Sequence, residues 1–456
     1  METVNAWIEQ AAGWVWGPWL VWLLFGTHLF LTWRTGLVQK HLFKAIRLSV
    51  TKDSGAPGDV SQFGALVTAL AATIGTGNIF GVAGAILIGG PGAVFWMWLT
   101  GVFGIATKYS EALLSVKYRV TDENGQMLGG PMLVLERALN AKWAGVIFAI
   151  FTAIAAFGIG NMVQANAITG IVLEKKDLLP FVVDDLTLKI GVGAVLTIFT
   201  ALVILGGIRS IARTCEVLVP FMAAGYVIGC LVILAINWQA VPGALGLIVT
   251  SAFSPAAAVG GFAGAAFSEV MRAGIARGLF SNESGMGSAP IVAAAARTKD
   301  PVRQALVSST GTFWDTVVIC ALTGLVLVSS GDWMAEGLTR SDKARLCSMA
   351  FEQIGWFGDA ILLGGLLTFV FSTILGWSYY GEKAVEYLGG LRVVLPYRLL
   401  WVAAVFAGSV WKMGAVWNFS DLMNGLMAIP NIISLLLLSG VIAAETKRYL
   451  GAGTRE

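Results

Sequence analysis

Thr73-Ile74-Gly75-Thr76-Gly77-Asn78 stands in the middle of the apolar run 62–89, with Ala71-Ala72 before it and Ile79-Phe80 after it. A helix that crosses a bilayer needs about 20 mostly apolar residues. The run is long enough to cross, but its centre is glycine and hydroxyl. Glycines at 75 and 77 let the backbone leave the helix. Such a break frees carbonyls at the end of the preceding half-helix, where a small cation is favoured. It also frees N–H groups at the start of the next, where the positive dipole end favours a carboxylate. The alternative is a glycine-rich packing face on an unbroken helix. A phosphate-binding loop is excluded, because no strand precedes the glycines and no Lys-Ser/Thr follows.

A second stretch decides between the two. Phe280-Ser281-Asn282-Glu283-Ser284-Gly285-Met286-Gly287-Ser288 interrupts the run 262–296 in the same way. Eleven candidate spans can be marked, at 14–33, 62–89, 91–118, 143–171, 188–208, 213–237, 262–296, 303–330, 358–381, 396–412 and 417–443. The interrupted spans stand five apart and each opens a block of five. Because five is odd, the second block enters the membrane from the opposite side, which makes the blocks inverted repeats. Irregular backbone at bilayer depth survives only where protein or a water-filled cavity satisfies it. Paired interruptions therefore point to a transporter's binding site. The expected fold is an all-α polytopic membrane protein. It divides into an N-terminal span with its connection (1–61), two five-helix repeats (62–240 and 241–445) and a tail (446–456).

Composition agrees. Of 456 residues, 57% are hydrophobic and 12% charged, against about 25% charged in soluble proteins, and the mean hydropathy is +0.77. The net charge of +3 excludes an extended basic surface for nucleic acid. Cys215, Cys230, Cys320 and Cys347 form no CxxC pair, so neither a disulfide framework nor a metal cluster is expected. The first apolar run lacks the flanks of a cleaved signal and is expected to be retained. With the first span running inward, 21 of the 30 Lys and Arg fall on the cytoplasmic side. That bias places the N-terminus outside and the C-terminus in the cytoplasm.

Several intramembrane polar groups are candidates for chemistry. Glu283 needs a partner or water at this depth. Arg277, six residues earlier, is the expected partner in a structural ion pair, the other reading being substrate contact, while Glu269 can hold Arg272 one turn away. Ser372 and Thr373 are adjacent hydroxyls in an apolar span, suited either to a hard cation or to bonding back to a carbonyl one turn earlier. Trp377, one turn beyond Thr373, walls a pocket or packs on lipid. Asn161 and Gln164 share a helix face, with Phe157 one turn earlier, and are read as interhelical ties or substrate contacts. Asp315 is a second ion or proton site, or a helix–helix tie. His28 and His41 lie away from these elements, so histidine-metal or histidine-based nucleophilic chemistry has no support.

The runs 72–78, Pro91-Gly92-Ala93-Val94-Phe95-Trp96-Met97-Trp98 with Lys108-Tyr109-Ser110-Glu111, and Arg277-Gly278-Leu279-Phe280-Ser281-Asn282-Glu283 through Ser288-Ala289-Pro290 resemble the alanine or glycine:cation symporter family. The similarity covers essentially the whole chain. It implies the leucine-transporter type fold, two inverted five-helix repeats, with one extra N-terminal span here. It also implies sodium-coupled uptake of alanine and glycine by alternating access in a plasma or inner membrane, with Na⁺ as coupling ion and no cofactor. By the resemblance, the substrate carboxylate meets backbone N–H groups at Gly75, Thr76 and Gly77. The amine meets Phe280, Ser281 and the Thr73 carbonyl. Na⁺ is held by carbonyls of Ala71, Ile74 and Phe369 and the hydroxyls of Ser372 and Thr373. A second ion site would need Asn78 with partners on the second broken helix and the span after it, where Glu283 replaces the small hydroxyl residue of many relatives of the fold. Phe157, Phe280, Met286 and Trp377 bound the expected pocket, leaving room for one or two side-chain carbons. Proton coupling through Glu283 or Asp315 is the alternative within transporters. A channel or receptor on the same broken helices is the rival outside them, and no nucleophile-base-orienter set supports an enzyme.

Overall fold

Long apolar blocks with few breakers close as helices, and the computed structural model describes them for all residues except 1, 52, 54, 175, 177–183, 254–266, 341, 412–413 and 453–456. In chain order the first are α1 (Glu2–Val15), α2 (Pro18–Arg34), α3 (Leu42–Ser49), α4 (Gln62–Thr73), α5 (Val82–Gly89), α6 (Gly92–Lys117) and α7 (Pro131–Leu139). Next come α8 (Lys142–Phe157), α9 (Val163–Glu174), α10 (Asp185–Ile204), α11 (Gly207–Ile236), α12 (Val241–Phe253), α13 (Phe267–Asn282) and α14 (Pro290–Ala293). The last are α15 (Pro301–Thr312), α16 (Ala321–Ser330), α17 (Lys343–Glu352), α18 (Trp356–Gly389), α19 (Val394–Val410), α20 (Gly414–Leu437) and α21 (Ser439–Ala452). A short antiparallel hairpin, Val120–Thr121 with Met127–Leu128, follows α6.

Helix starts follow from first-turn N–H groups. Ser61 Oγ accepts from Gly64 N at 2.8 Å ahead of α4, and Asp300 accepts from Val302 N at 2.8 Å beside Pro301, which needs no partner. Among the described residues, three π-helical turns interrupt the ladder, at 77–81, 158–162 and 313–320. Such turns often mark functional positions, and all three face the core.

Among the described residues, eight helical segments are long and apolar enough to cross a membrane, and α4 with the helix 77–89, bent by 55°, makes up to nine. Eleven were expected. The run 91–118 is one helix, α6, but it carries Lys108, Glu111 and Lys117. Of the run 262–296, residues 262–266 lie outside the described residues, and the rest is α13, an irregular turn and α14. The second interrupted helix therefore resumes as a single short turn rather than a full half.

Leu202, Val217, Phe221, Leu400 and Leu437 are exposed on α10, α11, α19 and α20, an apolar exterior suited to lipid. The interior holds α4, α5, α6, α13, α15 and α18, with α6 packed between α13 and α15 and α18 lying across α4, α8 and α11. At one end the chain before α4 and the chain after α14 are tied together. Val60 and Ala296 form a parallel bridge, and Asp59 N donates to Ala295 O at 2.8 Å. Arg119 donates to the carbonyls of Ala294 and Ala296 at 2.7 Å, Pro57 at 3.0 Å and Thr298 at 3.2 Å. Arg119 stands just outside the spans, where partial burial lowers its pKa and the Asp59 carboxylate raises it.

Candidate functional site

The first break is built by its own residues. Ile74 is extended (φ −76°, ψ 99°) and ends α4, while its N–H still reaches Leu70 O at 2.8 Å. Asn78 folds its side chain back, so that Oδ1 accepts from Gly75 N at 2.8 Å. A Cβ at Gly77 would sit 3.5 Å from Ser281 Cα and 3.6 Å from the Phe280 ring. That is ordinary van der Waals contact, so the two broken helices meet at Gly77 with room for no more than a methyl.

The second break is held from outside its own sequence. Glu283, Gly285 and Gly287 all have positive φ (56°, 91° and 86°). Glutamate is uncommon in that conformation, so the fold must over-determine it. Glu111 on α6 does so: its Oε1 accepts from Gly285 N at 3.1 Å, Gly287 N at 3.0 Å and Asn431 Nδ2 at 2.7 Å. Asn431 Nδ2 also donates to Gly285 O at 2.8 Å. Buried N–H groups off the helix need partners, and one carboxylate oxygen supplies two of them.

Asp315, within the π turn after α15, joins both breaks. Its Oδ1 accepts from Asn78 Nδ2 at 2.7 Å, and its Oδ2 accepts from Ser281 Oγ at 2.9 Å and Thr316 Oγ1 at 2.7 Å. Asn282 Nδ2 donates to Thr316 Oγ1 at 3.1 Å. Three donors on a fully buried carboxylate offset the loss of water, and the network fixes α15's continuation against both interruptions.

α18 closes the other side. Ser372 Oγ donates to Ala71 O at 3.1 Å and Phe369 O at 2.8 Å, and Thr373 Oγ1 donates to Phe369 O at 3.0 Å. The Thr373 hydroxyl would lie 2.8 Å from a Cβ at Gly75. α18 also meets the α4 backbone closely at Gly376, where a Cβ would fall 2.7 Å from Ala72 N. Ala71 O, Phe369 O and the two hydroxyls thus converge beside Ile74 and Gly75. These hydroxyls bond back to Phe369 O, as one of the two sequence readings expects, and they also lie against the break.

Other expectations are revised. Glu283 does not pair with Arg277: its carboxylate accepts from Trp377 Nε1 at 3.1 Å and Ser288 Oγ at 2.5 Å. Six residues along a helix turn the side chain by about 240°, and the positive φ rotates Glu283 further. Arg277 lines a separate cavity that also holds Asp421. Glu269 pairs with Arg340 at 3.0 Å rather than with Arg272. Trp377 is buried, with its Cβ over Gly160, and meets Tyr380 edge to face at 5.4 Å, so it does not face lipid. The Phe157 ring packs on Tyr397 and Trp401 at 5.1 and 5.4 Å. Asn161 Nδ2 donates to Trp401 O and Gln164 Nε2 to Ile159 O, both at 2.9 Å, leaving each buried acceptor oxygen without a protein partner. Thr73 Oγ1 bonds back to Ala69 O at 3.2 Å. Thr76 starts the π turn, and Met286 is buried with its N–H on Glu283 O at 3.1 Å. Sequence reasoning quoted Glu111 within a family motif but gave it no role, because nothing local marks it as the partner of a backbone 174 residues away.

The sequence profile of the sodium:alanine symporter family matches residues 1–455. The chain is 51% identical to the sodium/alanine symporter AgcS of Methanococcus maripaludis, over 97% of this chain and 96% of that protein. It is 34% identical to the probable sodium/glutamine symporter GlnT of Bacillus subtilis, over 95% and 88%. Among solved structures, MhsT in complex with L-phenylalanine superposes with a TM-score of 0.54 at 14% identity, covering 86% of this chain and 99% of MhsT. That last likeness concerns the fold, which is of the leucine-transporter type.

Proposed function

This chain belongs to the sodium:alanine symporter family, and from that premise we propose that it takes up small neutral amino acids, alanine and glycine, together with Na⁺ by alternating access. It is a multi-pass membrane transporter and not an enzyme. The observation that carries the proposal is the convergence of Ala71 O, Phe369 O, Ser372 Oγ and Thr373 Oγ1 at the first break. A desolvated Na⁺ needs several oxygens in place of water, and here they come from two different helices. Binding the ion draws α18 onto α4 beside the backbone N–H groups of Gly75, Thr76 and Gly77, which take the substrate carboxylate. Ion and substrate then favour the same conformation, which is coupling in the thermodynamic sense.

In this reading Ser281, Phe280 and the Thr73 carbonyl receive the amine, and Met286 and Trp377 limit side-chain size. Asn161 and Gln164 offer their unpartnered oxygens from the facing helix. Asn78 with Asp315 is a second place for a cation. Two inverted five-helix repeats, 62–240 and 241–445, give the alternating geometry, with the N-terminus outside and the C-terminus in the cytoplasm. One observation favours a second reading, proton coupling: Glu283 and Asp315 are buried carboxylates beside the breaks. Uptake of labelled alanine into proteoliposomes, with Na⁺, pH and membrane potential varied independently, tests both. Concentrative uptake that follows the Na⁺ gradient supports the proposal. Uptake driven by a pH gradient without Na⁺ replaces it.

A further inference from the structure

Where α2 ends, the chain turns sharply. Gly36 and Leu37 both take positive φ (66° and 60°), and Leu37 N donates back to Thr32 O at 2.9 Å, a glycine-capped helix end. α3 follows almost at once. Its inner face is small and apolar, with Val38 and Ala45 buried in a cluster with Tyr109 and Leu113 of α6 and Val302 and Leu306 of α15. Its outer face is mixed. Lys40, Phe43, Lys44, Arg47 and Val50 recur at three- and four-residue spacing and share one exposed side, on which Phe43 is 85% and Val50 71% exposed. Bulky apolar groups interleaved with cations suit a membrane surface. The face carries no acid, since no Asp or Glu occurs between Glu9 and Asp53. Among the described residues, none of its three cations is in an ion pair within 4.0 Å, and Lys44 lies over the Tyr449 ring at 5.4 Å. Exposed Trp33 and the adjacent Arg34 end α2 and are the residue types that mark a membrane–water boundary, so α3 starts close to that level.

We propose that α3 is an interfacial helix whose outer face docks on anionic phospholipid headgroups, with Lys40, Lys44 and Arg47 on the phosphates and Phe43 and Val50 at the acyl boundary. The inference goes beyond the transport reading and does not depend on it. Docking also has a path into the bundle. Arg303 on α15 donates to Thr51 O at 3.0 Å and Thr51 Oγ1 at 3.1 Å, just past α3, and to Gln62 Oε1, on the first residue of α4, at 3.1 Å. One guanidinium thus ties the end of α3 to the two helices that lead to Asp315 and to the first break. A headgroup surface that holds α3 holds the first turns of α4 and α15 with it.

The test is amide hydrogen exchange of the full-length protein in nanodiscs of phosphatidylcholine, alone or mixed with phosphatidylglycerol, read peptide by peptide. Phosphatidylglycerol should slow exchange over residues 38–50 and, to a smaller extent, at the start of α4. A cation close to an anionic surface is worth about five-fold in local partitioning. Lys40→Gln, Lys44→Gln and Arg47→Gln should each weaken the slowing by up to that factor, and the triple variant should lose it. Lys40→Arg with Lys44→Arg keeps the charges and should keep the effect. In the unsubstituted protein, raised ionic strength should erase the difference between the two lipids, which tests the dependence on charge without any substitution. Free glycerophosphate added to phosphatidylcholine nanodiscs should leave exchange unchanged, because it offers phosphate without a surface. Arg303→Gln should leave the response of α3 in place and end that of α4. Equal exchange over 38–50 in both lipids, a difference that persists in the triple variant or at high salt, or equal slowing by glycerophosphate overturns the docking surface. A response of α4 that survives Arg303→Gln overturns the path into the bundle.

Discussion

Gly376→Ala adds one methyl where α18 crosses α4. That Cβ would lie 2.7 Å from Ala72 N, 2.7 Å from Ala72 Cβ and 2.9 Å from Ala72 Cα, against about 3.5–4.0 Å for ordinary contact. Two of the three obstacles are backbone, so no side-chain rotation relieves the clash. α18 must stand back by about 1 Å. One turn away, the Ser372 Oγ–Ala71 O contact of 3.1 Å would then open beyond hydrogen-bond reach. Overpacking of this kind costs about 1–3 kcal/mol, and at about 1.4 kcal/mol per decade that corresponds to roughly five- to 150-fold in an equilibrium. If Na⁺ binds only the closed contact, the cost falls on ion binding, and the Na⁺ concentration for half-maximal alanine uptake should rise by that factor. Proteoliposome uptake over a Na⁺ series reads it directly. Gly364→Ala on the same helix is the control, since its Cβ would meet nothing within 4 Å, and alanine is the better helix former by about 1 kcal/mol. It should leave the Na⁺ curve in place. A well-folded Gly376→Ala protein with unshifted Na⁺ dependence would refute the reasoning.

Ser372→Ala and Thr373→Ala should each raise half-saturating Na⁺ in the same assay, with Thr373→Ser milder because it keeps the oxygen. Asp315→Ala removes the carboxylate that accepts from Asn78, Ser281 and Thr316, leaving Asn78 the carbonyl of residue 315 at 3.2 Å and Cys320 Sγ at 3.3 Å, and Ser281 the same sulfur at 3.2 Å; at about 1–3 kcal/mol for an unsatisfied buried group it should lower the melting temperature in detergent by several degrees and abolish uptake. Asp315→Asn, isosteric but uncharged, should fold better than Asp315→Ala, and its Na⁺ dependence reports whether the charge is needed. Arg119→Gln should increase thiol labelling of a cysteine placed at Val60 several-fold, because the carbonyls tied by Arg119 are released; unchanged labelling would show that the bridge at Val60 and Ala296 suffices.

Both interruptions were legible, because glycine and hydroxyl residues clustered at the centre of an apolar run weaken the helix at that point and so mark the break locally. Their mutual contact was not. Asn78 meets Asp315 across 237 residues of chain, and Glu111 meets Gly285 across 174; no local pattern encodes such pairs. The Glu283–Arg277 expectation failed because it measured spacing in sequence, whereas the helix turned the two groups apart and Trp377 and Ser288 were nearer in space. The π turns were also illegible, since an extra residue in a helical turn leaves the 3.6-residue pattern only locally disturbed. Ser372 and Thr373 drew attention because two adjacent hydroxyls stand out against Phe369, Val370 and Ile374, and their contact with Ala71 across 301 residues was not legible.

The four acceptors of Arg119 are all main-chain carbonyls, at residues 57, 294, 296 and 298. The tie therefore reads the path of the backbone and is indifferent to the side chains that decorate it. Substitutions at those four positions that preserve the path leave it intact, whereas one residue inserted or deleted in the second loop shifts up to three acceptors out of register at once. Since one planar guanidinium holds three acceptors on one loop and one on the other, the two loops share a single donor group, and its withdrawal loosens both at the same moment.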